Sequence, residues 1–252
     1  MAFGTWRRRL IPPLISATLA TVVTAAPALA GYQATVDVNI TAFDVCDGTP
    51  NSIPGKMLTA AVSAYRSLGY TTTGYSRAGF TKAQTLSRAT GDWGFYVHSH
   101  GDYYWYSPDG RSYTGFREDS GDCSQQVVYS KEIALKRAGR QANLVFISTC
   151  HATDSNTTLP GAFAIARTKT LWPSSQGPEF YVGYTGIQWD SDEWLFEQRF
   201  WSAIVGGKGA GGAFDIASSG WYGHASFDAD WWGSYIWAGR AGPPTSGCPT
   251  CA

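Results

Sequence analysis

Short apolar segments separated by helical patterns constrain the fold of this chain more than any other feature. Residues 93–98 (WGFYVH) and 143–149 (NLVFIST) are apolar at nearly every position, as in strands that are covered on both faces of a sheet. Further strands are predicted over residues 33–40 and 179–184. Helices are predicted over residues 55–68, 81–90, 130–138, 159–167 and 192–205. This alternation predicts an α/β protein, a three-layer α/β/α sandwich with a mostly parallel sheet.

Two turn-rich segments interrupt this alternation. The sequence SPDG at residues 107–110 favours a tight turn, and aromatic segments flank it, so residues 103–116 are predicted to form a hairpin. Residues 206–212 (GGKGAGG) resemble a phosphate-binding loop, but no predicted strand precedes them and Gly209 follows Lys208 where a hydroxyl would be needed. We therefore expect this segment to be a turn between two helices.

The first 30 residues have the pattern of a cleavable signal peptide. Arg7, Arg8 and Arg9 precede an apolar stretch that is too short to span a bilayer, and the small residues Ala28 and Ala30 follow it. We expect a secreted protein with no membrane association after cleavage, in which residues 31–252 form a single domain with an aromatic-rich C-terminal tail. Its oligomeric state does not follow from the sequence.

The charge balance excludes some partners. The chain has 19 basic and 19 acidic residues. Without the three arginines of the predicted signal peptide, it would have about three more acidic than basic residues. Such a chain has no polybasic surface for nucleic acid or for anionic lipid. The expected partner is therefore a peptide or protein substrate, with no nucleic acid.

The five cysteines are an odd number for an exported chain. Cys248 and Cys251 form a C-x-x-C pair that could close on itself, which would leave Cys46 and Cys123 to form a disulfide. Other pairings of four cysteines are equally allowed by the count. In the first arrangement Cys150 is the free thiol.

Two predicted strands end in chemically reactive residues. The first runs into Ser99-His100-Gly101, and the second runs into Cys150-His151. Ligands of open parallel sheets bind beyond the carboxyl ends of the strands. If the two strands are neighbours, His100 and Cys150 therefore face one crevice, where the imidazole can move protons while the thiol attacks a carbonyl.

These segments resemble a known clan of enzymes. Residues 95–101 (FYVHSHG) and 144–150 (LVFISTC) are similar to the motif blocks of the caspase and gingipain clan of cysteine peptidases, clan CD, including its bacterial gingipain-like and CHAT branches. Downstream, residues 181–186 (YVGYTG) are similar to the next strand. The paired helices that follow in those groups resemble segments containing Phe196, Phe200, Trp201, Gly207 and Ala213.

The resemblance implies a caspase-like fold and a secreted cysteine endopeptidase that uses no metal or cofactor. Cys150 would be the nucleophile and His100 the general acid. The backbone N–H groups of Gly101 and Cys150 would bind the oxyanion of the tetrahedral intermediate. Gly101 would be required because the substrate carbonyl approaches the backbone there. The substrate-binding residues remain unidentified.

Two other functional classes use the same residues differently. His98, His100 and Asp102 form an H-x-H-x-D pattern that resembles the first motif of metallo-β-lactamase-type hydrolases, and His151, together with Cys150 and the remaining histidine His224, could complete a zinc site. Alternatively, the chain is a binding module or a pseudoenzyme. The tail favours this class through its aromatic residues Trp221, Tyr222, Trp231, Trp232, Tyr235 and Trp237, although a strand or loop that covers the sheet edge explains them equally.

Overall fold

The computed structural model describes residues 32–48, 50–154, 156–165, 180–219 and 221, together with the backbone of residues 233–237. The predicted signal peptide, Cys248, Cys251, His224, Tyr222, Trp231 and Trp232 lie outside these residues. Within them, no helix is long and apolar enough to cross a membrane.

The described strands of the main sheet lie in the order β2-β1-β3-β7-β8-β9. Every pair is parallel except β8 with β9, which is antiparallel. The strands are β1 (Gln33–Val38), β2 (Thr71–Tyr75), β3 (Gly94–His98), β7 (Leu144–Ser148), β8 (Phe180–Thr185) and β9 (Gly233–Trp237). Strands β3 and β7 are fully buried, which confirms that their apolar composition marks the centre of a covered sheet. Strand β9, in the aromatic tail, covers the edge of β8.

Helices cover both faces of this sheet. The first face packs against α1 (Ile53–Ser67), α5 (Asp190–Val205) and α6 (Ala210–Ser218). The second face packs against α2 (Lys82–Ala89), α3 (Ser130–Arg137) and α4 (Leu159–Ala162). The predicted three-layer α/β/α sandwich with a mostly parallel sheet is therefore confirmed.

The predicted hairpin belongs to a second, smaller sheet. In the described chain this sheet has the order β4-β5-β6 and consists of β4 (Gly101–Tyr106), β5 (Arg111–Arg117) and β6 (Val127–Tyr129). Gly110 in the turn has a φ of +68°, a conformation that glycine adopts without steric cost. Strand β4 begins three residues after β3 ends, so the small sheet is attached directly to the carboxyl end of the main sheet.

Local signals mark two of the helix boundaries. Thr81 accepts a hydrogen bond from the backbone N–H of Gln84, and the Gln84 side chain accepts one from the backbone N–H of Thr81, which forms the capping box at the start of α2. Gly69, with a φ of +90°, follows the end of α1 as predicted.

Three expectations about elements need correction. The helix predicted over residues 159–167 ends at Ala162, because Ala164 adopts a left-handed backbone with a φ of +55°. The turn predicted over residues 206–212 is shorter, since α6 begins at Ala210. Strand β2 was not predicted, because TTTGY lies at a sheet edge and is mostly exposed, so it lacks the apolar signal of a central strand.

Candidate active site

The ends of β3 and β7 bring the two reactive segments together. These strands are parallel neighbours in which His98 lies opposite Ser148, and the Ser99 N–H donates to the Ser148 carbonyl at 3.2 Å. The residues that follow each strand therefore emerge at the same edge of the sheet. Ser99, His100 and Cys150 line one cleft with a volume of about 530 Å³. The predicted juxtaposition of His100 and Cys150 in one crevice is present in the structure.

Gly101 packs directly against the segment that carries the thiol. A Cβ atom at position 101 would lie 2.5 Å from Thr149 Oγ1 and 2.6 Å from the Cys150 carbonyl oxygen. The resemblance implied that Gly101 is required because a substrate carbonyl approaches the backbone there. The structure gives a different reason. Glycine is needed because the His100 and Cys150 loops touch at this point.

The register of the small sheet directs the Gly101 N–H away from the hairpin. The Arg117 N–H donates to the His100 carbonyl at 3.0 Å, so His100 and Arg117 form a hydrogen-bonded pair of the antiparallel ladder. Gly101 and Phe116 are the next pair along, and hydrogen-bonded and non-hydrogen-bonded pairs alternate in such ladders. The Gly101 N–H is therefore not used by the ladder with β5.

The Cys150 thiol is the free cysteine of the described chain, and it is protonated at neutral pH. Burial, with a smaller contribution from the nearby Glu193 carboxyl, raises the pKa of the thiol to about 11. Its Sγ accepts a hydrogen bond from the Gln188 N–H at 3.3 Å and lies 3.7 Å from the Gln188 carbonyl oxygen, to which the thiol donates. The loop after β8 therefore fixes the position of the sulfur atom.

The His100 imidazole is neutral at neutral pH. Burial lowers the pKa of this imidazole from 6.5, and this effect outweighs the opposing contribution of Asp47. His100 Nε2 lies 3.4 Å from Asp47 Oδ2, and the ring packs on Phe43 with centroids 4.6 Å apart. A neutral imidazole in the same cleft as a neutral thiol can accept the proton of that thiol when a substrate brings the two together.

His98 has a different environment from His100, although the two are separated by one residue. Its ring is completely buried, stacks on Phe43, and places Nδ1 3.0 Å from Ser148 Oγ. Two carboxyl groups at the start of α5 face it: Glu193 Oε2 lies 3.3 Å from Nδ1, and Asp190 Oδ1 lies 3.8 Å from Nε2. His98 therefore lies behind the lining of the cleft, in contact with the lining residues Phe43, Asp190 and Glu193.

Two buried carboxyl groups lie at the floor of the cleft. Burial raises the pKa of Glu193 to about 8 and that of Asp190 to about 6. Behind them, burial also raises the pKa of Glu197 to about 7, although Tyr96 Oη and Trp201 Nε1 donate to Glu197 Oε2. In the described chain, no lysine or arginine lines this cleft.

The structure does not assemble the predicted H-x-H-x-D zinc site. Among described residues, the one group of three or more potential ligands that converges is His98, Asp190 and Glu193. Asp102 is exposed and accepts a hydrogen bond from the Tyr103 N–H. His151 Nδ1 contacts Asp154 Oδ2 at 2.7 Å and does not line the cleft. His100 and Asp102 therefore share no metal-binding point with His98.

Sequence reasoning missed the residues that complete the cleft, namely Phe43, Asp47, Asn51, Gln188, Asp190 and Glu193. Asp190 and Glu193 follow the carboxyl end of β8, as Cys150 follows the carboxyl end of β7. Their position after a strand could have indicated that they belong to the site, but acidic residues are common in the first turn of any helix. Asp47 and Asn51 lie in loop sequence, which has no periodicity to interpret.

The predicted disulfide is present beside this site. Cys46 and Cys123 are bonded, across a sequence separation of 77 residues. Cys46 ends the single helical turn Ala42–Cys46 that follows β1, and it is adjacent to Asp47, the partner of His100. The disulfide therefore holds the Asp47 segment against the loop between β5 and β6.

Comparisons with known proteins assign no family to this arrangement. No protein-family model matches the chain, and a search of curated proteins finds no significant match.

Proposed function

We propose that this chain is a secreted, caspase-like cysteine endopeptidase in which Cys150 is the nucleophile and His100 the general acid–base. One observation carries the proposal: a free thiol and an imidazole, on loops that follow adjacent parallel strands, line the same cleft. The Cys46–Cys123 disulfide supports an oxidising compartment, because such bonds are rare in the cytosol.

The protonation states define the first chemical step. The thiol has a pKa raised to about 11 and the pKa of the imidazole is lowered, so the resting pair is neutral and is not a thiolate–imidazolium pair. As Sγ attacks the substrate carbonyl, His100 accepts the thiol proton, the C–S bond forms and the carbonyl electrons move to oxygen. The thiol is thus activated when a substrate is present, which protects it from oxidation between turnovers.

The later steps return that proton. When the tetrahedral intermediate collapses, the C–N bond breaks and the imidazolium of His100 protonates the departing amine. Water then attacks the thioester with His100 as its base, which releases the acid product and regenerates the thiol. The Gly101 N–H, unused by the β4–β5 ladder, is proposed to donate to the oxyanion together with the Cys150 N–H.

The test is peptide hydrolysis by the purified secreted chain and its variants. A mixed peptide library is digested and the products are identified by mass spectrometry. Cys150→Ala is expected to abolish cleavage, because no other thiol lines the described cleft. His100→Gln is expected to reduce kcat/KM by roughly 100-fold to 10,000-fold, the range for a lost general acid–base.

His151→Gln is the matched control, since His151 is adjacent to Cys150 in sequence but lies outside the cleft, paired with Asp154. It is expected to retain activity. Cleavage that survives in Cys150→Ala would overturn the proposal, as would a loss in His151→Gln equal to that in His100→Gln. A folded wild-type chain that cleaves no peptide would favour the binding module or pseudoenzyme.

A further inference from the structure

One of the two ring nitrogens of His98 has close polar neighbours. Nδ1 lies 3.0 Å from Ser148 Oγ and 3.3 Å from Glu193 Oε2. Nε2 lies on the opposite side of the ring. Metal-ligating histidines have the same arrangement, in which one ring nitrogen is held by a hydrogen bond and the other binds the metal.

Nε2 of His98 is left without a partner in the described chain. It is buried and has no hydrogen-bond partner among the described residues, and the ring is completely inaccessible to solvent. Asp190 Oδ1 faces it at 3.8 Å. A buried nitrogen and a carboxylate oxygen at this distance are both left unsatisfied unless a cation or a proton lies between them.

The separation of these two atoms suits a metal ion. A distance of 3.8 Å is too long for a hydrogen bond, but two metal–ligand bonds of about 2.1 Å each can span it at an open angle. Glu193 joins the group, because its carboxylate has a second oxygen besides the one near Nδ1, and one ligand atom from each of the three residues lies within 4.8 Å of the others. Asn51 Nδ2 donates to the other Asp190 oxygen, Oδ2, at 2.6 Å, and so orients the carboxylate.

We propose that His98, Asp190 and Glu193 form a binding site for a divalent transition-metal ion at the floor of the cleft. Asp190 and Glu193 line the cleft, so the ion would reach the site from there. The charge of the ion would also offset two carboxylates that have no lysine or arginine beside them in the described lining.

The ligand set selects the class of ion. One imidazole nitrogen with two carboxylate oxygens suits zinc, iron or manganese, whereas calcium and magnesium favour oxygen ligands alone. Zn²⁺ is the probe of choice, because it accepts mixed nitrogen and oxygen ligands and tolerates three protein ligands with an open fourth position. The site differs from the H-x-H-x-D arrangement, since it shares only His98 with that pattern.

The experiment measures metal binding and is independent of peptidase activity. The full secreted chain is stripped with EDTA, titrated with Zn²⁺ by calorimetry, and analysed for bound metal after gel filtration. The wild type is expected to bind one Zn²⁺ per chain, with a melting temperature that rises with Zn²⁺ concentration. Asp190→Asn and Glu193→Gln keep the size of the side chains and are each expected to weaken binding by at least ~10-fold.

Matched variants separate this site from the thiol–imidazole pair, which could itself hold zinc. Cys150→Ala and His151→Gln are expected to bind Zn²⁺ as the wild type does. His98→Gln should lose the site, and circular dichroism with Asp190→Asn as the comparison separates loss of binding from unfolding. Zinc binding that disappears in Cys150→Ala and survives in Asp190→Asn would overturn the proposal, and so would a wild-type chain that binds no Zn²⁺.

Discussion

Gly101 shows how a single residue type can hold a site together. Its backbone, directly after His100, packs against the Thr149–Cys150 segment so closely that the Cα has room for hydrogen atoms but not for a Cβ atom. Backbone atoms on the facing segment cannot move aside as a flexible side chain does. The contact therefore couples the position of the imidazole to that of the thiol.

The expected result of Gly101→Ala follows from this contact. The new Cβ would force the two loops apart, so we expect the free energy of unfolding to fall by ~1–3 kcal/mol, the usual range for overpacking. Peptide cleavage is expected to fall by more than this loss of stability explains, because His100 and Cys150 would separate. Urea unfolding, monitored by tryptophan fluorescence, measures the loss of stability. The value of kcat/KM, measured under conditions in which both proteins are fully folded, gives the loss of activity.

Gly91→Ala is the control for that substitution. A Cβ at position 91 meets no atom within 4 Å, and the backbone there is not left-handed. Its stability and activity should stay close to wild type. An equal loss in both variants would show that the contact between the two loops is unimportant.

Reasoning from single residues predicted that His100 and Cys150 share a cleft, but it did not predict the contacts of the residues around them. His100 and Cys150 were predicted because each follows an apolar strand, and apolar strands are visible in the sequence. His98 was predicted as a member of the H-x-H-x-D pattern alone. Its contacts with Asp190 and Glu193, about 90 residues further along the chain, depend on the meeting of β3 with the start of α5, which no local pattern encodes.

At the level of elements, the disulfide joins two loops that flank the cleft. Cys46 follows β1, and Cys123 lies between β5 and β6. A cross-link over 77 residues reduces the entropy of the unfolded chain by an amount worth about 4 kcal/mol at 25 °C. It also restrains Asp47 next to the His100 ring.

Removal of the disulfide is therefore expected to cost stability. We expect the double variant Cys46→Ala/Cys123→Ala to lose about 2–5 kcal/mol of unfolding free energy, the usual range for a native disulfide in a small secreted domain. Guanidinium unfolding curves of the two proteins measure this difference. Treatment with dithiothreitol should shift the unfolding midpoint of the wild type toward that of the double variant and leave the midpoint of the variant unchanged. A wild-type midpoint that does not change with the reductant would contradict the expectation.

Most elements of the main sheet could be predicted, because their signals are local. Strands β3 and β7 are apolar at nearly every position, and α2 begins at a capping box. The elements with wrong boundaries contain residues that weaken a helix. Helix α4 begins with Leu159-Pro160-Gly161 and ends within one turn, whereas α6 continues through the two glycines Gly211 and Gly212. Packing against the core decides such cases in place of intrinsic propensity.

The whole molecule buries several carboxyl groups, and this affects its response to pH. Burial raises the pKa of Asp190 to about 6, of Glu197 to about 7 and of Glu193 to about 8. Between the ordinary carboxyl pKa and these values the folded state binds more protons than the unfolded state, so stability falls as pH rises. His100 acts in the opposite direction below pH 6.5, because burial lowers its pKa, but it is one partly exposed group.

We therefore expect the metal-free protein to be most stable in mild acid. In EDTA, urea unfolding should give a larger free energy of unfolding near pH 5.5 than near pH 8. Glu197→Gln should flatten this dependence, since the amide oxygen can still accept hydrogen bonds from Tyr96 and Trp201 but the side chain no longer titrates. A stability that rises steadily between these two pH values would contradict the burial of neutral carboxyl groups.

Local patterns in the sequence predicted the α/β class and the central strands, and the cysteine count allowed Cys46–Cys123 as one of several disulfides. They also predicted that His100 and Cys150 share a crevice if their strands are neighbours. These features follow from periodicity, apolar composition and cysteine count, which are properties of short segments or of the whole composition. Tertiary structure alone decided that Asp47, Asp190 and Glu193 share the cleft and that His98 turns toward α5. The physical reason is that strand order and helix packing place distant loops at one sheet edge, and only the packed core fixes which side chains meet there.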